Sequence, residues 1–307
     1  MAQPSSFVLT RAKAEVPIDL DPKNLRSYID RKVSLGLAPN SAGAVGMGAS
    51  EGVLYLGVNV VLPGLPYNLS IHAVQFLIAN LALNSERELH YLAVSSDGSI
   101  CRPPCDLCRR FLHELRAPDK FNILIENKDE NKHLMSLESL MILQGPKNLI
   151  PEEYYRLLKW RHNGLTLLNP HSDKEICADS DYDHQHHCTN LKCMGLVAAN
   201  KSYAPYSECP SGVALRDSDN KVYVGWYMES VTYNILVMHN PSLGPLQAAL
   251  VDFVTRTRGK EFKKIVEVVL VEKKDAKVRQ EDTVRMILKK IAHRYYDFKV
   301  IHCSEPA

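Results

Sequence analysis

The segment Pro104-Cys105-Asp106-Leu107-Cys108 places two cysteines three positions apart, directly after a proline. Proline is common at the first position of a helix, so the segment predicts a helix start with both sulfurs on one face. The unpaired amides and the positive end of the helix dipole favour thiolates there, and thiolate is the form that binds zinc. Two thiolates are half of a tetrahedral site, so at least one more His or Cys is required.

His72 is the best candidate for the third ligand. The sequence predicts a helix over residues 71–83, capped by Ser70, with His72 in its first turn. This segment is apolar on almost every side, which predicts burial on all faces and leaves the imidazole in need of a partner. The spacing alone also allows Cys105 and Cys108 to be a redox pair or two packed thiols, and His72 to be a hydrogen-bonded core histidine.

An internal repeat sets the domain organisation. Three markers in the first half recur in the second half, with offsets of 166, 168 and 172 residues. They are Ala38-Pro39-Asn40-Ser41, Tyr55-Leu56-Gly57 and Gln75, which recur as Ala204-Pro205-Tyr206-Ser207, Tyr223-Val224-Gly225 and Gln247. Because the offset drifts by only a few residues, the pattern predicts two copies of one fold, with small insertions in the second.

Strands and helices alternate in both copies. In the first, apolar and β-branched runs predict strands at residues 53–61, 91–95 and 121–126, with helices at 71–83 and 105–115. The second repeats this order at residues 222–227, 246–254, 265–271, 283–291 and 298–302, as expected for layered α/β domains. A polar stretch at residues 169–190 predicts an exposed connection. We therefore expect a first domain at residues 20–155, a linker at 156–190 and a second domain at 191–307.

Composition limits the class of protein. The chain has 307 residues, with 37 Lys and Arg against 35 Asp and Glu, for a net charge of +2. This balance argues against a nucleic-acid or anionic-membrane binder. The apolar fraction of 45% is that of an ordinary globular protein, and no apolar run approaches the ~20 residues that span a bilayer. The N-terminal segment lacks the apolar core of a signal peptide, so the sequence predicts a cytoplasmic protein whose partners are small molecules or proteins.

Together these features resemble the two-domain, plant-type, zinc-dependent cytidine deaminases, whose signature is His-x-Glu followed by Pro-Cys-x-x-Cys. The resemblance implies two tandem three-layer domains, each a mixed sheet with helices on both faces. It also implies a Zn²⁺ ion held by His72, Cys105 and Cys108, cytidine or deoxycytidine as the substrate, and a homodimer. The second copy has Gly244-Pro245-Leu246-Gln247 in place of the His72 segment and no Cys-x-x-Cys, which implies a degenerate, structural domain. The matching segments are residues 56–60, 63–64, 70–73, 104–105, 108–109 and 202–207.

The sequence departs from this family at the residue that moves protons. Val74 stands where the family has the Glu of His-x-Glu, which takes the proton of the zinc-bound water and delivers it to the base. An isopropyl group can do neither, and losing one general acid/base typically costs roughly 10²–10⁴ in rate. The resemblance therefore implies that this chain has no catalytic residue at that position. The family's ribose-binding Asn-x-Glu reads Asn59-Val60-Val61, so only the Asn of these candidate substrate-binding residues is kept.

Two further family contacts are missing, and three hypotheses result. Residues 39–44 lack the aromatic residue that holds the base, and Gln144 stands where the family has a Phe before Gly-Pro. The first hypothesis is a zinc-bound deaminase homologue with little or no activity, as a homodimer or paired with an active relative. The second is an active nucleoside deaminase that uses another carboxylate, for which Asp106 is the obvious candidate. The third is a Cys105–Cys108 redox protein. A histidine-rich segment at residues 183–188, with Cys193 beyond it, is predicted to be a solvated connection.

Overall fold

The computed structural model of the chain describes residues 7–10, 21, 25, 28, 43–50, 52–95, 100–115, 121–127, 131–140, 157–159, 161–168, 188–230, 241–257, 259 and 261–305. These residues form two mixed β-sheets, the first within residues 8–136 and the second within residues 166–304. Helices pack on both sheets. The predicted α/β class with two tandem mixed sheets is confirmed.

The first sheet has six strands: β1 (Val8–Thr10), β2 (Gly43–Gly48), β3 (Val53–Val58), β4 (Leu89–Ser95), β5 (Asn122–Glu126) and β6 (Lys132–Ser136). Their spatial order is β1-β3-β2-β4-β5-β6, with β4 and β5 parallel and the other neighbours antiparallel. Helix α1 (Ala73–Leu83) follows β3, and α3 (Leu137–Leu140) follows β6. Helix α2 (Asp106–His113) connects the parallel pair, which needs a crossover of this kind.

The second sheet has five strands: β7 (Thr166–Leu167), β8 (Ser211–Asp217), β9 (Val222–Trp226), β10 (Ile265–Lys273) and β11 (Asp297–Ser304). Their order is β7-β11-β10-β8-β9, and only β10 and β11 run parallel. Helix α4 (Leu191–Lys201) precedes β8, α5 (Pro245–Thr257) follows β9, and α6 (Glu281–Ile291) connects β10 to β11. Gly212 lies against α4 and Gly225 against α5, so helices cover both faces of this sheet.

The two sheets share one topology. Strands β3-β2-β4-β5 and β9-β8-β10-β11 have the same order and the same directions, and each parallel pair is joined by a helix. Every element predicted from the sequence is present, with ends moved by up to three residues. The domain limits at residues 155 and 190 stay a prediction. Strand β1 precedes residue 20, and β7 lies within the segment predicted as a linker.

Helix α1 is the central helix of the first half. All its residues except Leu83 are buried, as its uninterrupted apolar sequence predicts. Its start differs from the prediction: Ile71 forms an antiparallel bridge with Val60, which keeps it extended, so the helix begins at Ala73 with His72 as N-cap. Ser70 ends a 3₁₀ turn over Tyr67–Leu69 and does not cap α1, so that prediction was wrong. No helix among the described residues is long and apolar enough to cross a membrane.

The two halves contact each other through buried polar groups as well as through α1 and α5. Glu114, just after α2, is buried and accepts hydrogen bonds from the hydroxyls of Tyr203 and Tyr206, at 3.0 and 2.9 Å. Burial, together with the nearby Glu114 carboxylate, raises the pKa of the Tyr203 phenol above its ordinary value, which keeps it a donor. The segment at residues 202–207, which carries part of the family resemblance, therefore joins the second half to the first.

We expect Gly57→Ala to destabilise the protein by about 3 kcal/mol, at the upper end for overpacked cores. A Cβ at Gly57 would meet the carbonyl oxygen of Ala73 and come within 2.7 Å of the Leu77 nitrogen, and helix backbone cannot rotate away. The melting midpoint should fall by roughly 6–12 °C. Gly259→Ala is the control, because no described residue places an atom within 4 Å of its added Cβ. Equal midpoints for the two variants would contradict this packing.

Candidate metal centre

His72, Cys105 and Cys108 lie together where α1 and α2 begin. The Nδ1 atom of His72 is 3.4 Å from Cys105 Sγ and 3.5 Å from Cys108 Sγ. Their ligand atoms all lie within 4.8 Å of one another. Among the described residues, this is the one group of three or more His, Cys, Asp or Glu side chains that could hold a metal ion. The structure thus places the three predicted ligands side by side.

The local structure explains why these side chains converge. Cys105 is the N-cap of α2, with Pro104 just before it, and His72 is the N-cap of α1. Both helices therefore direct their N-terminal amides towards the same point. Cys108, one turn into α2, is 3% exposed, His72 is half-buried and Cys105 is exposed. The group is closed on the side of Cys108 and open to solvent on the side of Cys105.

The pKa values of the Cys105 and Cys108 thiols are shifted in opposite directions. A hydrogen bond from the Cys108 thiol lowers the pKa of Cys105 to about 4, and His72 and the backbone N–H of Cys108 act in the same direction against the cost of burial. That same hydrogen bond, burial and the Cys105 charge raise the pKa of Cys108 well above its ordinary value. A divalent cation bound by both sulfurs would stabilise both thiolates.

The arrangement fits zinc. Zn–S bonds of about 2.3 Å and a Zn–N bond of about 2.0 Å at tetrahedral angles put sulfur and nitrogen roughly 3.5 Å apart. The two sulfur–nitrogen distances, 3.4 and 3.5 Å, match that edge length. Two thiolates and an imidazole form a three-ligand set that leaves a fourth position for water, as in catalytic zinc sites.

Val74 lies beside the metal-ligand group, but its side chain has no atom that can transfer a proton. It is the second residue of α1 and is 2% exposed. Its backbone N–H donates to the Cys108 sulfur, which lowers the pKa of that thiol. The backbone at position 74 therefore supports a metal ligand, whereas the side chain is inert.

The segment Asn59-Val60-Val61 runs directly beside the start of α1. The Oδ1 atom of Asn59 accepts a hydrogen bond of 2.7 Å from the backbone N–H of Ala73, which satisfies one of the free amides at the helix start. Val60 is fully buried and bridged to Ile71, and Val61 is half-buried. Asn59 thus supports α1, a role that sequence reasoning missed because its partner is 14 residues away.

A carboxylate lost from the first half is present in the second. The offset of 168 residues that relates Gly57 to Gly225 also relates Val61 to Glu229. Glu229 is buried and accepts hydrogen bonds from the backbone N–H groups of Tyr206 and Ser207, at 2.8 and 3.0 Å. The second copy therefore uses this Glu to hold its own loop. Applying the repeat offset to Asn-x-Glu would have identified it from the sequence.

Asp106, the candidate replacement carboxylate, is engaged elsewhere. Its side chain is half exposed and pairs with Arg110 Nε at 2.9 Å and with Arg109 at 3.6 Å, both on its own helix. It is absent from the group of potential ligands. The candidate positions 39–42 and 144–146 and the histidine-rich residues 183–187 lie outside the described residues.

Comparison with known proteins identifies the family. Cytidine deaminase 6 of Arabidopsis thaliana is 50% identical over 302 residues, which cover 97% of this chain and 97% of the relative. The chain belongs to the cytidine deaminase family. "Probable inactive cytidine deaminase 4" of Arabidopsis thaliana is 38% identical over 310 residues, covering 100% of this chain and 99% of the relative. Cytidine deaminase from Mycobacterium leprae, a solved structure, is 21% identical, covers 41% of this chain and 100% of its own, and has a TM-score of 0.34.

A family model supports zinc as the metal. The model described as "Cytidine and deoxycytidylate deaminase zinc-binding region" matches residues 137–285. This match lies mainly in the second copy of this cytidine deaminase family member and contains none of His72, Cys105 and Cys108. The second copy therefore matches the family model without a His, Cys, Cys ligand set among its described residues, and the ligand group lies in the first copy.

Proposed function

We propose that this chain is a zinc-binding cytidine deaminase homologue, of the hydrolase type, that turns over cytidine or deoxycytidine slowly or not at all. The observation that carries the proposal is Val74. The metal-ligand group His72, Cys105 and Cys108 is assembled, but the side chain that should exchange protons beside it is an isopropyl group.

Deamination needs a nucleophile and a proton carrier. His72, Cys105 and Cys108 would hold zinc, which would supply a water of lowered pKa, about 7, as the nucleophile towards C4 of the pyrimidine. The chain must still take the proton of that water, protonate the ring and assist the departure of ammonia. Val74 cannot do so, and the Asp106 carboxylate is held by Arg110. The chain thus retains metal binding without the proton transfer that gives the metal its catalytic use.

Substrate binding should be weak for a related reason. We propose Asn59, Val60 and Val61 as the segment that faces the ribose, because it borders the start of α1 next to His72. Asn59 already uses Oδ1 on Ala73, which leaves its Nδ2 group to donate to a sugar hydroxyl. Val61 offers no acceptor, and the missing charged hydrogen bond costs roughly 1.5–3 kcal/mol.

We also propose a homodimer or a heterodimer with an active relative, domain limits at residues 155 and 190, and a cytoplasmic location. The family resemblance supports the dimer, and the shared topology of the two sheets supports the division. Cys105, Cys108, Cys209 and Cys303 are thiols in the structure, which supports a reducing compartment.

We expect the purified native protein to contain about one zinc ion per chain and to deaminate cytidine at least roughly 100-fold more slowly than an active family member. Metal analysis and the loss of cytidine absorbance measure the two quantities. Asp106→Asn is the control and should leave both unchanged. Robust native turnover that Asp106→Asn abolishes would show that a second carboxylate replaces the lost Glu. A reversible disulfide without zinc would favour a redox protein.

A further inference from the structure

We propose that Gln75 is a positioning residue for the metal centre, through which the second half of the chain holds His72 in place. The inference rests on the proposed zinc site. Gln75 was singled out in the sequence as a marker of the repeat, and neither the ligand set nor the proton transfer accounts for it. Its side chain is 4% exposed, so both ends of its amide must find partners within the protein.

The amide of Gln75 joins a metal ligand to the other half of the molecule. Its Oε1 atom accepts a hydrogen bond of 3.1 Å from the backbone N–H of His72. Its Nε2 atom donates a hydrogen bond of 2.8 Å to the carbonyl oxygen of Pro241, which belongs to the second half. Because oxygen and nitrogen have different partners, the amide has one orientation, and a single rigid group connects Pro241 to His72.

The same connection recurs in the opposite direction. Gln247 Oε1 accepts from the backbone N–H of Gly244 at 2.9 Å, and its Nε2 donates to the carbonyl of Leu69 at 2.9 Å. An offset of 172 residues relates Gln75 to Gln247, His72 to Gly244 and Leu69 to Pro241. The two glutamines thus form a reciprocal clasp between the halves, and the repeat accounts for both bonds.

The two sides of the clasp differ in what they hold. Gln75 bonds the residue that provides a metal ligand, whereas Gln247 bonds a glycine with no side chain. Leu69, the other partner of Gln247, is separated from His72 by Ser70 and Ile71, and Ile71 is independently fixed to Val60 by hydrogen bonds of 3.0 and 2.9 Å. The structural effect of losing the Gln247 bonds should therefore not extend past Ile71 to His72.

Apart from the Gln75 bond, two hydrogen bonds among the described residues support the backbone at His72. The carbonyl oxygen of His72 accepts a hydrogen bond of 2.8 Å from the Phe76 N–H, and the backbone N–H of the following residue, Ala73, donates to Asn59. Without Gln75, the His72 N–H loses its acceptor and the N-cap conformation that directs Nδ1 at both sulfurs loses one of its supports. Removing groups that orient metal ligands typically costs 10- to 100-fold in metal affinity.

The experiment compares Gln75→Met with Gln247→Met in the full-length, zinc-loaded chain, since methionine keeps the side-chain length and removes the amide. Zinc affinity is measured by competition with a chromophoric chelator, and the ligand geometry by the absorption spectrum of the cobalt-substituted protein. We expect Gln75→Met to lower zinc affinity by roughly 10-fold and to change the cobalt spectrum. Gln247→Met should lose comparable thermal stability and keep zinc affinity within about twofold and the native spectrum, because it touches no ligand.

Hydrogen exchange in the native protein tests the link without a substitution, in case Gln75→Met does not fold. Coupling is reciprocal, so removal of zinc by a chelator should raise exchange at residues 72–76 and also at 241–247, but not at the control segment 265–271. Equal affinity losses in both variants, native affinity in Gln75→Met, or unchanged exchange at 241–247 would each overturn the inference. A native protein without zinc would overturn the metal centre itself, so the two failures are distinguishable.

Discussion

Val74→Glu should raise the rate of cytidine deamination by roughly 10²–10⁴-fold over the native chain. Position 74 lies one residue beyond the start of α1, and its backbone N–H contacts the Cys108 sulfur, so a carboxylate there sits directly beside the metal-ligand group. The change supplies the proton carrier that the native side chain cannot provide. Turnover is followed by loss of cytidine absorbance, with zinc content measured on the same preparation.

The surroundings of residue 74 also determine how the activity of Val74→Glu depends on pH. Val74 is 2% exposed, and burial raises the pKa of a carboxyl group because it disfavours the charged form. We therefore expect the new activity to fall as pH drops through the pKa of the introduced carboxylate, which must be ionised to accept the proton. The KM should stay high, since Val61 still provides no acceptor for the sugar.

Val74→Gln is the matched control for Val74→Glu. Glutamine has nearly the same size and polarity as glutamate, and it cannot carry a proton near neutral pH. It should remain at the native rate. If Val74→Gln gained as much activity as Val74→Glu, the gain would come from pocket shape rather than proton transfer. A folded, zinc-loaded Val74→Glu variant at the native rate would show that the proton carrier is not the limiting loss.

The sequence predicted the metal-ligand group because local spacing brought out the candidate residues and the family resemblance then joined them into one ligand set. Cys105 and Cys108 lie three residues apart at the start of one helix. His72 lies at the start of a second helix, whose uninterrupted apolar sequence predicts burial on every side. In contrast, the exact start of that helix depends on the Val60–Ile71 bridge, a contact between residues distant in the sequence. Periodicity carries no information on such a contact, which is why Ser70 was wrongly assigned as the cap.

Strand β2 was not predicted from the sequence, and its residues explain why. Strand β2 reads Gly-Ala-Val-Gly-Met-Gly, in which Val45 is the one β-branched residue and three of the six residues are glycines, which are depleted in strands. Two of its glycines lie close to neighbouring side chains: a Cβ at Gly46 would meet Leu89, and one at Gly48 would meet the Glu86 side chain. The strand is thus determined by what packs against it. The same holds for Glu229 and for the Glu114 contacts with the second half, whose partners the local sequence does not reveal.

Cys108→Ser should remove the stoichiometric zinc and lower the melting midpoint by roughly 8–16 °C. Zinc present at about 1,000 times its Kd stabilises the folded state by about 4 kcal/mol, and a chain of this size loses roughly 2–4 °C for each kcal/mol. Serine keeps the volume of the buried side chain, but its hydroxyl does not ionise near neutral pH and cannot replace the thiolate.

Cys303→Ser is the control, because burial raises the pKa of that thiol to about 12 and it lies in the second half, outside the ligand group. That control should lose some stability from the buried hydroxyl yet keep its zinc. A chelator should lower the midpoint of the native chain and of Cys303→Ser, and leave that of Cys108→Ser unchanged. Full zinc content in Cys108→Ser, or a chelator shift as large as the native one, would show that the metal is not bound by His72, Cys105 and Cys108.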